Sequence, residues 1–192
     1  MKQYLVILLF FSAVAFSCGD AGTPSTVLSL SDLPEHAEIT DYEDIPGLSR
    51  VSVNFGNKID EQGEYYQGNR NGSWTVYHSN GMPKTITSYV NGIKHGAHLE
   101  LDNRGELTLM ANYVNGYLDG EHTSYQRGKK AETRYYAMDQ LEGQKIKYYT
   151  NGKVMEQSTY KAGKIHGTAK WFDQDGNVTI EYEYENGELI KN

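Results

Sequence analysis

The sequence has a single cysteine and few basic residues, and both shortages exclude classes of protein. Cys18 is the only cysteine among 192 residues, so no disulfide can form within the chain. The 18 lysines and arginines are outnumbered by 25 aspartates and glutamates, and the formal net charge is -7. A protein that binds nucleic acid by neutralising phosphates needs clustered basic residues, whereas those of this chain are scattered. We therefore expect no nucleic-acid partner.

The chain also lacks the motifs of common enzyme classes. It contains no GxSxG nucleophile motif, no P-loop and no dinucleotide-binding glycine motif. Its acidic residues form no isolated pair at a spacing typical of hydrolases that use two carboxylates. We predict that the protein is not an enzyme and that it has no catalytic residues and no cofactor.

Aliphatic side chains are scarce in the second part of the chain, where tyrosine takes their place. Leu, Ile, Val and Phe supply only 19 of residues 68–192, a level that suggests disorder. The same span contains 12 tyrosines, whose rings offer large apolar areas. Because these tyrosines recur at a fixed interval, they indicate a fold rather than a solvated tail.

The first residues predict export. Lys2 precedes an apolar run over residues 4–16, which has the length of a signal-peptide core and is short for a membrane span. Small residues one and three positions before Cys18 permit cleavage there. Residues 1–17 are therefore predicted to be a signal peptide, and the protein is expected in the cell envelope.

The residues around this cleavage site resemble a bacterial lipobox, although Ala15 and Phe16 stand where an aliphatic and a small residue are usual. The resemblance implies that Cys18 is lipidated and anchors the protein in a membrane. Gly19 follows Cys18 where an aspartate would favour the inner membrane, so the resemblance also favours the outer membrane of a Gram-negative bacterium. Ordinary cleavage, which leaves a free cysteine, is the alternative.

The rest of the chain divides into three parts. Residues 18–50 are rich in Ser, Thr, Pro and acidic residues, and such a segment cannot bury enough apolar surface to fold alone. They are predicted to form a flexible tether. Apolar residues alternate at the start of residues 51–67, which we interpret as a divergent capping hairpin. Residues 68–192 contain five copies of a unit of about 24 residues.

Each unit is predicted to be one β-hairpin. Three series of glycines and one of tyrosines keep the same interval, and the turns contain pairs such as Asn80 and Gly81. Polar and apolar residues alternate between the turns, as in a strand with one packed face. The predicted fold class is therefore all-β, with tandem two-stranded hairpins that form an open antiparallel meander in a single twisted sheet.

The unit resembles the bacterial variant of the MORN repeat. The resemblance is carried best by residues 68–92 and 163–187. It implies a module for contact with proteins or membranes, and some bacterial relatives are regarded as antitoxins or immunity proteins. Asp139 replaces a glycine of the pattern in a unit that is one residue shorter, so we expect a distorted turn there.

Two columns of aromatic residues are candidates for a core or for a binding face. They consist of Tyr77, Tyr89, Tyr113, Tyr125, Tyr136, Tyr148, Tyr160, Phe172 and Tyr184. We predict that they form the packed face of the sheet, with a binding surface as the alternative. Trp74 and Trp171 fall where other units have polar residues, so they are candidates for exposed binding aromatics.

The repeated histidines do not predict a metal site. His95 and His166 occupy a position where other units have other polar residues, which suggests a role in the turn. His98 and His122 share a second position, but equivalent residues lie two strands apart, roughly 9.5 Å. Zinc ligands need nitrogens about 2 Å from the metal, so joint ligation is not expected.

These observations predict a non-catalytic scaffold that is anchored in the cell envelope and binds another protein. The resemblance leaves a second hypothesis, an antitoxin or immunity protein that neutralises a toxin by binding. The aromatic residues leave a third, a glycan or cell-wall binding module in which Trp74 and Trp171 stack on sugars.

The lipid anchor can be tested by mass spectrometry of the mature N-terminus. We expect the chain to begin at Cys18 and to carry the mass of a diacylglycerol group. Cys18→Ser should release the protein from membranes, because no other thiol is available for lipidation. An unmodified Cys18 on the mature wild-type chain would contradict the prediction.

Overall fold

The computed structural model describes residues 29–191, which form one antiparallel sheet of 15 strands. The predicted signal peptide, Cys18 and the start of the predicted tether lie outside these residues. A single 3-10 turn, η1 (Leu30–Asp32), precedes the sheet. Within residues 29–191, no helix has the length and apolar character needed to cross a membrane.

The strands follow one another in the sheet in chain order, apart from β8 and β9, which both pair with β7. Their bounds are β1 (Glu38–Asp41), β2 (Leu48–Phe55), β3 (Lys58–Tyr66), β4 (Asn69–Tyr77), β5 (Pro83–Val90), β6 (Ile93–Leu101), β7 (Leu107–Val114), β8 (Tyr117–Leu118), β9 (Gly120–Gln126), β10 (Lys129–Ala137), β11 (Gln140–Tyr148), β12 (Val154–Lys161), β13 (Lys164–Phe172), β14 (Val178–Glu185) and β15 (Glu188–Lys191). The prediction of an all-β, open antiparallel meander of hairpins is confirmed.

One of the three series of glycines lies inside strands and not in turns. β4 begins at Asn69 and continues through Gly72, whose φ is +69°. In the next unit, the pairing of β5 with β6 is irregular beside the equivalent glycine. Thr87 pairs with His98, but Tyr89, two residues further along, pairs with Lys94, which is four residues back. A glycine at positive φ therefore distorts the ladder without ending the strand.

The turns that join the units consist of two residues, both at positive φ. Asn91 and Gly92 have φ values of 48° and 80°, as expected for a tight hairpin. Met138 and Asp139 adopt the same conformation, with φ values of 48° and 65°. The expected distortion at Asp139 is therefore wrong. Its carboxylate compensates for the missing glycine by accepting a hydrogen bond of 2.6 Å from the N–H of Leu118.

The missing residue of the third unit lies in the other turn of that unit. Arg127 and Gly128, at φ values of 53° and 71°, connect β9 directly to β10. The equivalent turn of the first unit is longer, and the N–H of His78 donates to the carbonyl of Met82 across it. The ladder beside the short turn keeps the pattern of the other units, since the bulge between Lys130 and Glu132 matches the one between Val76 and Tyr77 beside the longer turn.

The two predicted aromatic columns lie on opposite faces of the sheet. Trp74 pairs with Thr87, two residues before Tyr89, so these rings share a face that we call the tryptophan face. Tyr77 is three residues from Trp74 and projects from the opposite face. The prediction that both columns form one packed face is therefore wrong, because the strand alternation divides them.

Residues near the N-terminal end of the described chain cover one end of the tryptophan face. Leu30, Leu33 and Ala37 pack on the buried core residues, and the N–H of Leu30 donates to the carbonyl of Gly68 at 2.8 Å. The predicted tether of residues 18–50 is thus too long. The second part of this segment forms η1, β1 and the start of β2, because its few apolar residues pack on the sheet.

The turn conformation can be tested with two opposite substitutions. Ala162 has a φ of 49°, where alanine is disfavoured and asparagine is tolerated. We expect Ala162→Asn to raise the free energy of unfolding by about 1 kcal/mol, and Asn91→Ala at the equivalent position to lower it by a similar amount. Urea denaturation measures both. Changes of the same sign in the two variants would contradict the assignment.

Candidate functional site

Two stretches of the middle row of the tryptophan face consist of buried residues, most of them small. Thr87, His98 and Ala111 are paired directly across β5, β6 and β7. Ser158 and Ala169 continue this row on β12 and β13. All five are buried. Larger rings flank the row, so they determine the chemistry of the accessible surface.

Three rings form the first aromatic cluster, which we define as Tyr65, Trp74 and Tyr89. Tyr65 meets Trp74 edge to face, with ring centroids 5.5 Å apart. The guanidinium of Arg70 lies 3.9 Å from the centroid of Trp74, and the Trp74 indole N–H donates to Glu61 at 2.8 Å. The indole N–H and the charged groups of Arg70 and Glu61 are therefore paired within the sheet.

Trp74 belongs to the core and is not an exposed binding residue. Its side chain is only 2% exposed. Gly63 makes room for it, since an added Cβ at Gly63 would lie 2.0 Å from Trp74 Cε3. Leu30 and Leu33 cover the cluster from outside the sheet. This burial raises the pKa of the Tyr65 phenol.

A second cluster of the same composition occupies the other end of the tryptophan face. We define the last aromatic cluster as Trp171, Tyr182 and Tyr184. The first two rings meet edge to face at 5.7 Å, and Tyr182 contacts Tyr184 in the same way at 6.4 Å. Unlike the first cluster, these three side chains are only half-buried.

Aliphatic neighbours widen the apolar surface of the last aromatic cluster. Ile180 pairs with Trp171, and Leu189 pairs with Tyr184, so both share the tryptophan face. Ile180 is 44% exposed and Leu189 is 51% exposed. The last aromatic cluster therefore forms part of an accessible apolar patch.

Charged residues separate the two clusters. Glu132 lies between Arg134 and Lys145, and Lys147 pairs with Glu156 at 2.8 Å. The hydrogen bond that the Lys147 ammonium group donates to Glu156 raises the pKa of Lys147. Exposed ion pairs stabilise a fold only weakly. Their main consequence is that the middle of this face is hydrophilic.

Tyr113 and Tyr136 each pack against a histidine on the tryptophan face. His98 meets Tyr113 at 5.9 Å, and His122 meets Tyr136 at 5.7 Å, both edge to face. Nδ1 of His98 forms a hydrogen bond of 2.8 Å with Thr87. Burial lowers the pKa of His122 and raises that of Tyr113. These histidines pack within the sheet beside the tyrosines.

The other repeated histidines bond to turns, as the polar character of their position suggested. Nδ1 of His95 and of His166 each accepts from a backbone N–H of the following turn at 3.4 Å. Asp119 and Glu142 accept equivalent bonds in the other units. Among the residues that the structure describes, no three His, Cys, Asp or Glu side chains gather as a potential metal site.

The remaining predicted aromatics are half-buried and lie apart from the two clusters. Tyr160 belongs to the tryptophan face, while Tyr77, Tyr125, Tyr148 and Phe172 belong to the opposite face. The phenol of Tyr77 is hydrogen-bonded to Gln62. The structure therefore brings Trp74 together with Tyr89 and Trp171 together with Tyr184, and it leaves the other predicted aromatics apart from these clusters.

Sequence reasoning missed two features. Tyr182 completes the last aromatic cluster and Ile180 extends its apolar patch, and the alternation of apolar residues with glutamates in β14 signals their common face. Lys129 and Lys130 follow the shortened turn that contains Arg127. The residue missing from the third unit is the feature of the sequence that could have indicated this site. This group of basic residues departs from the scattered distribution elsewhere.

Comparison with known proteins finds a family match for three segments of the repeat region. Residues 70–91, 141–162 and 165–189 match the family model described as MORN repeat variant. No curated protein matches the sequence. Among solved structures, a mutant of TarM from S. aureus in complex with fondaparinux, alpha-GlcNAc-glycerol and UDP is similar over 57% of this chain, at 16% identity and a TM-score of 0.38. The present chain spans 21% of that one, and so weak a likeness supports no argument.

The contrast between the two tryptophans predicts different effects on stability. Trp74→Ala should lower the free energy of unfolding by about 3–5 kcal/mol, because it empties a buried site. Trp171→Ala should cause less than half that loss, because the ring is half-buried. Urea denaturation followed by circular dichroism measures both values. Equal losses would contradict the assignment of Trp74 to the core and of Trp171 to the surface.

Proposed function

We propose that this chain, which carries repeats of the MORN variant family, is a non-catalytic scaffold that binds another protein through the last aromatic cluster. The observation that supports this proposal is the difference between the two ends of the tryptophan face. Each end has one tryptophan and two tyrosines, and at each end the tryptophan meets one tyrosine edge to face. Only the first cluster is covered by another part of the described chain.

Burial would stabilise the last aromatic cluster in a complex. Accessible apolar area contributes about 25 cal/mol per Å² when it is removed from water. Tyr and Trp are also the residues that dominate the energetics of protein interfaces. Ile180 and Leu189 extend the area that a partner would cover. The charged residues of the middle units would then form a polar border on one side.

The covering of the first cluster indicates the kind of surface that fits such rings. There, a short turn places Leu30, Leu33 and Ala37 against Tyr65 and Trp74. The expected partner segment therefore presents small aliphatic side chains from a compact turn. Its backbone can remain solvated, as in a segment that packs on the face of a sheet rather than on its edge.

We further propose that the scaffold acts in the cell envelope. The apolar run of residues 4–16 and the position of Cys18 support export and lipid anchoring. Anchoring of Cys18 in the outer membrane would leave the sheet outside the bilayer. Residues 18–28 would then connect the anchor to the described chain, which makes the tether shorter than the sequence alone suggested.

Two other functions use the same surface. An antitoxin or immunity protein would bind a toxin there, and this hypothesis rests on the family resemblance. A glycan or cell-wall binding module would stack sugars on the rings of Trp171 and Tyr182. The partial exposure of these two rings favours this hypothesis. Trp74 no longer supports the glycan hypothesis, because it is buried.

Affinity capture from intact envelopes tests the proposed function. Cross-linking to the wild-type chain should recover one specific protein, and Trp171→Ala combined with Tyr182→Ala should lose it. Tyr77→Ala is the matched control, because it removes a half-buried ring from the opposite face and should retain the partner.

The remaining outcomes distinguish the alternatives. A captured protein that is toxic to cells without this chain would favour the immunity function. Sedimentation with purified cell wall that depends on Trp171 would favour glycan binding. Recovery of the same proteins by wild type and by the double variant would overturn the assignment of the surface.

A further inference from the structure

The opposite face of the sheet has a cleft at the shortened turn of the third unit. The cleft encloses about 260 Å³. Arg127, Lys129 and Lys130 line one side, and Tyr148 and Tyr149 line the other. All three basic residues are exposed, so their charges are accessible to a ligand. The cleft lies on the face away from the last aromatic cluster.

The turn beside the cleft is shorter than the equivalent turns of the other units. In the second unit, Asp102 occupies the turn and accepts hydrogen bonds of 2.9 Å from the N–H groups of Arg104 and Glu106. Asp173 closes the last unit's turn in the same way. The two-residue turn at Arg127 needs no such acceptor. Neutral Gln126 occupies the position of Asp102 and Asp173, beside three basic residues.

The positions of the cations are partly fixed by hydrogen bonds. Nζ of Lys129 donates to the carbonyl of Thr150 at 2.7 Å, which holds it across the cleft. Nζ of Lys130 lies 3.3 Å from the carboxylate of Glu121. Arg127 has an exposed side chain at the corner of the turn. Three positive charges therefore face one carboxylate, and the cleft keeps a net positive charge within an acidic protein.

We propose that this cleft binds an acidic peptide segment of a protein partner. Arginine and lysine form charge-assisted hydrogen bonds with carboxylates, and the tyrosine rings provide apolar walls for the peptide between them. The charges of cleft and ligand are complementary, which favours both association rate and specificity. An anionic membrane usually requires four to eight clustered basic residues, roughly, and this turn has fewer.

A fluorescence anisotropy titration tests the proposal with the full chain. The probe is a short fluorescein-labelled peptide of alternating Glu and Asp, and its Gln and Asn counterpart is the uncharged control. Wild type should bind only the acidic peptide, more weakly as salt increases. The variant Arg127→Asn with Lys129→Gln and Lys130→Gln should bind it about tenfold more weakly.

This variant is designed to preserve the turn. Asn91 adopts a φ of 48° before a glycine, close to the 53° of Arg127, so asparagine fits the same conformation. A matched control removes three cations from other turns along the same edge, by Lys58→Gln, Arg104→Asn and Lys153→Gln. Nζ of Lys58 and of Lys153 each donates to a carbonyl of the next turn, as Lys129 does.

The control should retain wild-type affinity within about twofold, because the proposal places binding at one turn. Equal losses of affinity in the two triple variants would mean that net charge alone explains the binding, which would overturn the proposal. Binding of inorganic phosphate or phosphatidylserine vesicles in place of the peptide would also overturn it. Trp171→Ala should leave peptide binding unchanged, so this test and that of the proposed function can fail separately.

Discussion

The structure depends on a ladder of hydrogen bonds that stacks each unit-joining turn on the previous one. The N–H of Gly92 donates to the carbonyl of Arg70 at 2.8 Å, and Gly116 donates to Lys94 at 2.9 Å. Asp139 maintains the ladder with a bond of 2.9 Å to Leu118. The donor in each case is the second residue of a turn whose two residues both have positive φ. This constraint fixes the register of every hairpin, so equivalent side chains fall into columns across the sheet.

The periodic part of the fold could be predicted because turns are local. Pairs such as Asn91 and Gly92 specify a tight hairpin from two adjacent residues. The conformation at Asp139 could not be predicted, because it depends on the N–H of Leu118, which is distant in sequence. The covering of Trp74 was missed for the same reason. Leu30 and Gly63 lie outside the periodic region, and only the folded sheet brings them to the indole.

The candidate surfaces consist of columns of equivalent side chains from several units, so they cannot be recognised in a single repeat. Successive residues of a strand point to opposite faces of the sheet, so a tyrosine and a tryptophan three residues apart lie on different surfaces. The units then differ in what they place in each column. The first and last units place a tryptophan beside tyrosines on the tryptophan face, and the third and fourth units place ion pairs there. The third unit alone has its cations in a shortened turn, and these face the opposite side.

In a sheet of this kind, stability is approximately the sum of contacts between neighbouring units, so the two ends are not equivalent. Residues 29–37 complete the core at the first end, where Val51, Tyr65 and Trp74 are almost inaccessible. At the other end, β15 pairs with only one strand, and Leu189 remains about half exposed. Local opening should therefore begin there. A partner that covers the last aromatic cluster would stabilise this end by binding only the closed form, which couples recognition to the order of β14 and β15.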